Sequence, residues 1–323
     1  MRLGLGIDTG GTYTDAVIYD FDKEEVLDGN KALTTKEDLN IGINEVLSKF
    51  SDDMLAKVQL VSLSTTLATN ACVENKGGRG LLILMGYDHD ILREYGHKYG
   101  LPLGNGDIVL VSGSHSQTGE VVQQPDWDRL REIVEEYKDK IDAFGIAEYW
   151  GIRNPEFEKQ AKKLIMDTTG LPVVCAHELS GEINSLRRAA STLLNARLIP
   201  LTDGLMKAVK KSLQQRSIKA PLMIVRGDGS LMSEGFAKEK PVETLLSGPA
   251  ASVVGGMKLS GTNECIILDM GGTTSDLAIV RDGRVTLAEE GVDIGEWRTA
   301  TQAIEVKTMG LGGDSLISFD KFE

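Results

Sequence analysis

A nine-residue pattern occurs near each end of this chain, and no other sequence feature constrains the fold as strongly. Residues 7–15 and 268–276 each contain an apolar residue, an Asp, x-Gly-Gly-Thr, and then a second Asp at or near the start of another apolar run. Each copy predicts two strands joined by a tight turn. Because the copies are too far apart for a short-period solenoid, we expect two equivalent turns on two related domains.

The spacing within each copy suits a phosphate site. Adjacent glycines let the backbone turn sharply and approach a ligand, and successive N–H groups of such a turn form a concavity for phosphate oxygens. The Thr hydroxyl adds a donor, and an Asp at the strand end can hold water on a Mg²⁺ ion, which keeps most of its waters. The phosphate-binding candidates are Gly10, Gly11, Thr12, Gly271, Gly272, Thr273 and Thr274, and the Mg²⁺ candidates are Asp8 and Asp269.

Other interpretations of the turns have to be weighed. Asp8 or Asp269 could instead act in catalysis by orienting the attacking group, and Gly-Gly-Thr alone could simply close a hairpin. The presence of two copies of the turn favours phosphate binding over a simple hairpin. The sequence has no Gly-x-x-x-x-Gly-Lys-[Ser/Thr], and its Gly-x-Gly at residues 4–6 lies inside a predicted strand, so neither the P-loop nor the Rossmann fingerprint applies. For Asp15 and Asp276 we expect a structural role, bonding the turn backbone.

Composition narrows the class of protein. With 323 residues, 41% of them hydrophobic and 26% charged, the chain can form two ordinary globular domains. Its 48 acidic and 35 basic residues give a net charge of −13, which disfavours nucleic acid as a partner. No apolar run reaches the ~20 residues of a membrane span and no secretory signal opens the chain, so we expect a cytoplasmic protein with no membrane partner.

Cysteine and histidine spacing predicts neither a disulfide framework nor a metal site. We interpret the cysteines as reduced core residues. The residues concerned are Cys72, Cys175 and Cys265, with His89, His97, His115 and His177.

Hydrophobic periodicity predicts strands alternating with helices, which favours an α/β fold with a mainly parallel sheet. The predicted strands cover residues 3–7, 14–19, 81–85, 143–149, 172–176, 222–225, 265–270, 277–280, 284–287 and 303–308. The predicted helices cover residues 38–50, 65–75, 126–140, 156–167, 181–198, 203–216 and 247–256. We expect the helix over 181–198 to be capped by Ser180 and to stop before Pro200.

Several segments, in this order along the chain, resemble the hydantoinase/oxoprolinase family of the actin-like ATPase superfamily. The segments are residues 8–15, 64–71 (Ser-Thr-Thr-Leu-Ala-Thr-Asn-Ala), 177–183 (His-Glu-Leu-Ser-Gly-Glu-Ile), 246–251 (Leu-Ser-Gly-Pro-Ala-Ala) and 269–276. Residues 310–315 resemble the Gly-rich start of the next helix in that superfamily, which adds Gly312, Gly313 and Asp314 to the nucleotide-binding candidates. Many family members have a third glycine and no acid there.

The resemblance implies a ribonuclease H-like, actin-like ATPase domain over residues 1–260, with an inserted α/β segment at roughly 80–180. Residues 261–323 would form the beginning of a second related domain. That second domain would be truncated, so the adenine pocket would lack one wall unless a neighbouring chain supplied it.

The resemblance also implies the chemistry. Family members use ATP and Mg²⁺ to open cyclic amides such as hydantoin, N-methylhydantoin or 5-oxoproline by phosphorylating an amide oxygen. They commonly do so with a hydantoinase B-type partner subunit; a homo-oligomer is the other expectation. The alternatives are an ATP-dependent ketone carboxylase subunit, a small-molecule kinase and a regulatory actin-like ATPase.

Two further groups of polar residues have competing interpretations. Ser64, Thr65, Thr66 and Asn70 could face a nucleotide cleft between the two Asp-x-Gly-Gly-Thr turns. A helix cap is the preferred interpretation. The second group is His177, Glu178 and Glu182, for which we prefer a surface or capping role to a catalytic one.

Overall fold

The computed structural model describes residues 2–35, 37–101, 106–272 and 274–318. Its strands are β1 (Leu3–Thr9), β2 (Tyr13–Asp20), β3 (Glu25–Leu33), β4 (Val58–Thr65), β5 (Gly80–Met85), β6 (Ile108–Val111), β7 (Ser114–His115), β8 (Val121–Gln123), β9 (Ala143–Glu148), β10 (Val173–Cys175), β11 (Leu222–Val225), β12 (Leu231–Ser233), β13 (Cys265–Met270), β14 (Ser275–Arg281), β15 (Arg284–Val285), β16 (Asp293–Ile294), β17 (Trp297–Arg298) and β18 (Lys307–Met309). Its helices are α1 (Leu39–Leu47), α2 (Asp52–Leu55), α3 (Leu67–Val73), α4 (His89–Tyr95), α5 (Trp127–Tyr137), α6 (Glu156–Thr169), α7 (Ala176–Leu179), α8 (Ser185–Gln215), α9 (Glu234–Glu239) and α10 (Ser247–Ser260), with 3₁₀ turns at Gly96–Tyr99 and Pro241–Thr244.

The first sheet has the strand order β12-β11-β4-β1-β2-β3. Strands β1, β4 and β11 are parallel, and β2, β3 and β12 are added antiparallel. Alternate apolar residues of β1 and β4 pack against α1 and the C-terminal half of α8. Because parallel strands end at the same edge, Asp8 at the end of β1 and Ser64 at the end of β4 become neighbours.

A second sheet, of order β10-β9-β5-β6, is entirely parallel and lies within the predicted inserted segment. Every residue of β5 and β9 is buried, as expected for parallel strands covered on both faces. One face packs on α5 and α6, and the other packs on the N-terminal half of α8. Helix α8 therefore joins the two sheets.

The prediction of two helices separated at Pro200 is wrong. Helix α8 runs from Ser185 to Gln215 with Pro200 inside it, and its N-cap is Asn184, whose side chain accepts a hydrogen bond from the Arg187 N–H at 3.1 Å. A proline inside a helix removes one hydrogen bond and costs roughly 3 kcal/mol. Burial of residues on both sides of Pro200, against the two separate cores, offsets that local cost.

Replacing Gly78 with alanine tests how closely the chain packs against Pro200. A Cβ at Gly78 would lie 2.3 Å from the Pro200 Cγ and 3.1 Å from an Asp142 carboxylate oxygen. Since the proline ring is rigid, we expect Gly78→Ala to lower the free energy of unfolding by about 1–3 kcal/mol in urea denaturation. Gly255→Ala, at a helical glycine with open space around it, should be neutral or stabilising. Equal urea midpoints for Gly78→Ala and wild type would contradict the close packing of Gly78 against Pro200.

The third sheet repeats the opening hairpin. Strands β13 and β14 pair antiparallel with Asp269 opposite Asp276, just as Asp8 lies opposite Asp15 in β1 and β2. Strands β15 and β18 both pair with β14. Within the described residues 310–318 the structure has a turn and no helix, so the predicted helix start at residues 310–315 is wrong.

The strands of both hairpins were predicted correctly, with bounds that differ by a few residues. The strand predicted at 303–308 begins only at Lys307, although Ile304 forms a single bridge to Leu287. Among the helices of the described residues, none combines the length and the apolar character needed to cross a membrane.

Candidate nucleotide site

Both Asp-x-Gly-Gly-Thr turns close with the same hydrogen bond. The Gly10 N–H donates to the Tyr13 carbonyl at 2.9 Å, and the Gly271 N–H donates to the Thr274 carbonyl at 2.9 Å. A side chain at Gly10 would place its Cβ 2.9 Å from the Tyr13 carbonyl oxygen, closer than real Cβ contacts, so the turn requires glycine there. The duplicated sequence therefore gives a duplicated backbone geometry.

A separate segment holds the carbonyls of each turn. Thr34 donates from its N–H to the Thr12 carbonyl and from its hydroxyl to the Gly10 carbonyl, both at 2.9 Å. At the second turn, the N–H groups of Gly313 and Asp314 donate to the carbonyls of Gly271 and Gly272 at 3.0 and 2.8 Å. The residues that donate these two hydrogen bonds belong to the segment 310–315, which we expected to begin a helix.

The N–H groups of Gly11, Thr12 and Gly272 donate to no acceptor among the residues that the structure describes. Gly11, Thr12 and Gly272 are also exposed. Such unpaired N–H groups in consecutive turn residues suit an anion. Thr273 lies outside the described residues, whereas Thr274 supplies the carbonyl that closes the second turn.

Asp8 lies at the cleft edge of the first sheet and accepts a hydrogen bond from the Ser64 hydroxyl at 2.6 Å. Burial raises the pKa of the Asp8 carboxyl, the carboxylates of Asp15 and Asp269 raise it further, and the Ser64 hydrogen bond opposes these effects. Because the charge of Asp269 contributes to this shift in the pKa of Asp8, the two carboxylates lie within electrostatic range of each other. Two nearby carboxylates, one partly buried, are a favourable arrangement for a divalent cation.

The raised pKa of Asp8 has a consequence for stability. Its native carboxyl binds a proton more readily than the unfolded one, so stability falls as pH rises above the ordinary value of 3.8. Asp8→Asn removes the charge and keeps the acceptor for Ser64. We expect this variant to be more stable than wild type at neutral pH by roughly 0.5–2 kcal/mol, a common gain when a functional-site charge is removed. Thermal melts should show that the difference in stability between Asp8→Asn and wild type disappears below pH 3.8. A difference that stays constant with pH would contradict the raised pKa of Asp8.

The preferred capping interpretation of residues 64–70 is correct for one residue only. The Thr65 hydroxyl accepts from the Leu67 N–H at 3.1 Å, as a cap does. Ser64 instead binds Asp8, and Thr66, the residue before α3, makes no side-chain cap hydrogen bond. The Thr66 hydroxyl accepts from the Asn70 Nδ2 at 3.2 Å.

Thr66 and Asn70 line a cavity beside the first turn. Its volume is about 240 Å³, and its wall includes Gly10 and Gly11. These two polar side chains, together with the capping Thr65, therefore face this cavity beside the first turn. No sequence pattern alone distinguishes a helix-start Thr that caps from one that faces a cavity.

The second Asp of each copy binds a neighbouring strand, not the turn backbone as predicted. Asp15 pairs with Lys31 on β3 at 3.2 Å, and Asp276 accepts from the Thr308 hydroxyl on β18 at 2.6 Å. Each contact joins two paired strands, which agrees with the structural role that we expected for both residues.

Glu178 has the capping role that we preferred for it. Its carboxylate accepts from the Cys175 N–H at 3.1 Å at the start of α7 and pairs with Lys162 at 2.8 Å. Glu182 is half-buried, and burial raises the pKa of its carboxyl. Its backbone carbonyl accepts a hydrogen bond from Arg188. Neither glutamate lies at the Asp-x-Gly-Gly-Thr turns.

Sequence spacing missed a buried cluster of Glu158, Cys175 and His177, whose side-chain ligand atoms lie within 4.8 Å of one another. Glu158 accepts from the His177 N–H at 3.0 Å and the Glu148 N–H at 2.8 Å, and it pairs with the His177 ring. The Cys175 thiol donates to the Glu158 carbonyl at 3.4 Å, and burial raises the pKa of this thiol. We therefore interpret the cluster as a hydrogen-bonded core network.

The cysteines are free, as predicted. Cys72 and Cys175 are buried, whereas Cys265 is only half-buried. Burial raises the pKa of the Cys72 thiol to about 12, which keeps it protonated and unreactive at neutral pH.

The chain matches two family descriptions: "Hydantoinase/oxoprolinase N-terminal region" over residues 4–169 and "Hydantoinase/oxoprolinase" over residues 188–323. It is 26% identical to the caprolactamase subunit alpha of Pseudomonas jessenii, over 98% of this chain and 49% of that protein. It is 25% identical to 5-oxoprolinase 1 of Arabidopsis thaliana, over 98% of this chain and 28% of that protein.

Two solved structures share the fold. The crystal structure of the ATP-dependent caprolactamase from Pseudomonas jessenii matches with a TM-score of 0.80 and 25% identity, over 99% of this chain and 49% of that chain. Nucleotide-free acetone carboxylase matches with a TM-score of 0.79 and 20% identity, over 96% of this chain and 48% of that chain. The fold is thus α/β of the actin-like ATPase type. The chain spans about half the length of these two relatives. From the two family matches, the chain belongs to the hydantoinase/oxoprolinase family.

Proposed function

We propose that the chain binds Mg-ATP between the two Asp-x-Gly-Gly-Thr turns and uses it to activate a cyclic amide for hydrolytic ring opening. The observation that carries this proposal is the duplicated turn, with the same closing hydrogen bond in both copies and the charge of one first Asp, Asp269, raising the pKa of the other, Asp8. The names of two relatives, caprolactamase and 5-oxoprolinase, support the substrate class.

The proposed roles follow the donors and charges of each turn. The backbone N–H groups of Gly11, Thr12 and Gly272, which donate to no acceptor among the described residues, bind phosphate oxygens, and we assign the remaining turn residues to the same two sites. The remaining residues are Gly10, Gly271, Thr273 and Thr274. A Mg²⁺ ion, held through Asp8 and Asp269, would neutralise charge on the phosphates.

In the segment of Gly312, Gly313 and Asp314, the N–H groups of Gly313 and Asp314 hold the second turn, whereas the Gly312 N–H donates to the Ser315 hydroxyl at 2.9 Å. The Asp314 carboxylate lies beside Gly272, where a Cβ would be 3.0 Å from its oxygen. Because a carboxylate repels phosphate, we assign Asp314 to positioning the turn or to the cation and its waters, with no direct phosphate contact.

The chemistry explains why ATP is needed. An unstrained amide carbonyl is a poor electrophile, but transfer of the γ-phosphoryl group to its oxygen, with release of ADP, gives an imidate that water attacks. Cleavage of the ring C–N bond then gives an acyl phosphate, and a second water releases inorganic phosphate and the carboxylate. In the phosphoryl step the protein's contribution is positioning and charge stabilisation.

We also propose that turnover requires a further polypeptide region, either a hydantoinase B-type subunit or a second copy of this chain. The caprolactamase relative is named as an alpha subunit, and it is about twice as long as the matched region. We retain residues 1–260, with an insertion at roughly 80–180, as one domain and 261–323 as the start of another. Ile266, Leu268 and Met270, on one face of β13, are 66%, 52% and 55% exposed, and such an apolar face supports contact with a further polypeptide region.

A second candidate function is ATP-dependent carboxylation of a ketone. It is favoured by the relatives named as acetone and acetophenone carboxylase subunits, which match this chain over 98% of its length. The same phosphate site would serve, because an enol oxygen can be phosphorylated in place of an amide oxygen.

A substrate screen tests these proposals. ADP release by the chain, alone and with its partner subunit, should increase with hydantoin, N-methylhydantoin, 5-oxoproline or another lactam, and proton NMR should show the opened ring. Stimulation only by ketones with bicarbonate would favour the carboxylase. A lasting phosphorylated product would indicate a kinase, and stimulation only by a protein would indicate a regulatory ATPase.

A further inference from the structure

We infer that the cavity between the first turn and α3 is the pocket for the substrate ring, and that it selects an uncharged lactam over one carrying a carboxylate. This inference rests on the proposed function. The cavity is distinct from the second turn, since its wall contains Gly10 and Gly11 but none of the described residues of 268–276. A molecule seated there would lie next to phosphates bound at the first turn.

The size of the cavity limits its ligand. Its volume of about 240 Å³ is below the roughly 300–1,000 Å³ of pockets for drug-sized molecules. Leu39 of α1, Leu67 and Ala71 of α3, and Leu201 of α8 form an apolar wall. This combination suits one small ring whose methylene groups lie against the leucines.

Asn70 supplies the polar recognition. Its Nδ2 donates to the Thr66 hydroxyl at 3.2 Å and lies 3.3 Å from where a Cβ on Gly11 would be, so the carboxamide is beside the phosphate turn. One Nδ2 hydrogen is left over, and within the described part of the chain Oδ1 accepts no hydrogen bond. A carboxamide therefore presents a donor and an acceptor side by side.

A small lactam ring matches this pair. The ring forces the amide to be cis, so its N–H and C=O point to the same side. The lactam N–H can donate to the Asn70 Oδ1 while the carbonyl accepts from Nδ2. The carbonyl oxygen keeps a second lone pair, which can point towards the phosphates at Gly10 and Gly11.

Charge at the rim disfavours a carboxylate on the ring. Among the described residues lining the cavity, Lys76 is the only side-chain cation, and it already pairs with Glu74 at 2.6 Å. A carboxylate entering here would meet the Glu74 carboxylate and, among the described residues that line the cavity, would find no cation outside the Lys76–Glu74 pair. 2-Pyrrolidinone and 5-oxoproline differ only by that carboxylate, so they form a matched pair of probes.

Direct binding tests this inference. We titrate 2-pyrrolidinone, ε-caprolactam and 5-oxoproline into the full chain by ligand-observed NMR, with and without Mg²⁺ and a non-hydrolysable ATP analogue. We expect the two uncharged lactams to bind at least about tenfold more tightly than 5-oxoproline, a difference of about 1.4 kcal/mol. Equal or tighter binding of 5-oxoproline would overturn the charge selection.

Variants locate the site. Asn70→Leu keeps the size of the side chain and removes both hydrogen bonds, so lactam binding should weaken at least about tenfold. Leu201→Trp should fill the cavity and abolish lactam binding. Gln214→Leu is the matched control, because it removes an exposed carboxamide that does not line the cavity. Unchanged lactam binding in both Asn70→Leu and Leu201→Trp, with native circular dichroism, would overturn the pocket.

Nucleotide binding separates this inference from the proposed function. The three variants should bind Mg-ATP as wild type does, since none of their side chains belongs to the turns. Failure of the wild-type chain to bind Mg-ATP would overturn the proposed function. Normal Mg-ATP binding without any lactam binding would overturn the pocket alone.

Discussion

Replacing Asp8 or Asp269 with asparagine should weaken the Mg²⁺-dependent part of ATP binding by about 10- to 100-fold, the usual effect of losing a group that orients a bound metal and its waters. Asparagine preserves the shape of each side chain and, at residue 8, the acceptor for the Ser64 hydroxyl. The variants should therefore remain folded. Binding of ATP without Mg²⁺ should change little, or improve slightly because a negative charge has been removed.

Isothermal titration calorimetry with and without Mg²⁺ measures this effect. If both carboxylates act on one cation, the double variant should bind Mg-ATP almost as tightly as the single variant with the lower affinity. The reason is that the effects of two groups that share one partner are not additive. Asp128→Asn on α5 is the control, since its carboxylate is exposed and, within the described part of the chain, pairs only with Arg131, at 2.6 Å. Unchanged affinity and unchanged Mg²⁺ dependence in both single variants would refute the cation assignment.

The hairpins could be predicted because their signals are local. A short apolar run before Asp8 and before Asp269, followed by Gly-Gly, specifies two strands and a turn within a dozen or so residues. The pairing of each Asp with the second Asp of its copy follows from the turn itself. Repetition then made a functional interpretation possible, since an isolated turn carries little information.

Contacts between distant segments could not be predicted in this way. Ser64 reaches Asp8 only because β4 lies parallel to β1 in one particular register. Thr34 holds the first turn from the end of β3, and the segment at Gly313 holds the second turn. Residues in these positions have no distinguishing pattern along the chain, and tertiary pairing decides their role.

Local rules also failed where packing outweighed them. Pro200 is a strong helix-breaking signal, but both halves of α8 are buried against sheets, and this burial keeps the helix continuous. The spacing of Glu158, Cys175 and His177 resembles no metal motif, because α6, β10 and α7 bring them together only in the folded chain. Periodicity predicted many of the elements correctly, but it missed strands β3 and β4 and it failed at junctions such as Pro200.

The largest expected effect on stability comes from Arg188, which is 1% exposed and lies in the half of α8 that packs on the second sheet. Its Nη1 donates to the carbonyls of Glu182 and Ile183 at 2.5 and 2.8 Å, and its Nη2 donates to the carbonyl of Tyr149 at 2.7 Å. One guanidinium thereby joins the end of β9 to the loop before α8. Since Asp8 and Asp269 lie elsewhere, this contact supports the scaffold and not the turns.

Arg188→Met should lower the free energy of unfolding by about 3–5 kcal/mol, because a similar apolar stem remains while buried carbonyls lose their donors. Against a typical total of about 5–15 kcal/mol, that loss should be evident as a shifted urea midpoint. Lys211→Met, an exposed cation on the same helix, should change stability by less than about 0.5 kcal/mol. Hydrogen exchange should quicken first in residues 180–184 and at the end of β9. A loss no larger than that of Lys211→Met would show that water satisfies these carbonyls as well as Arg188 does.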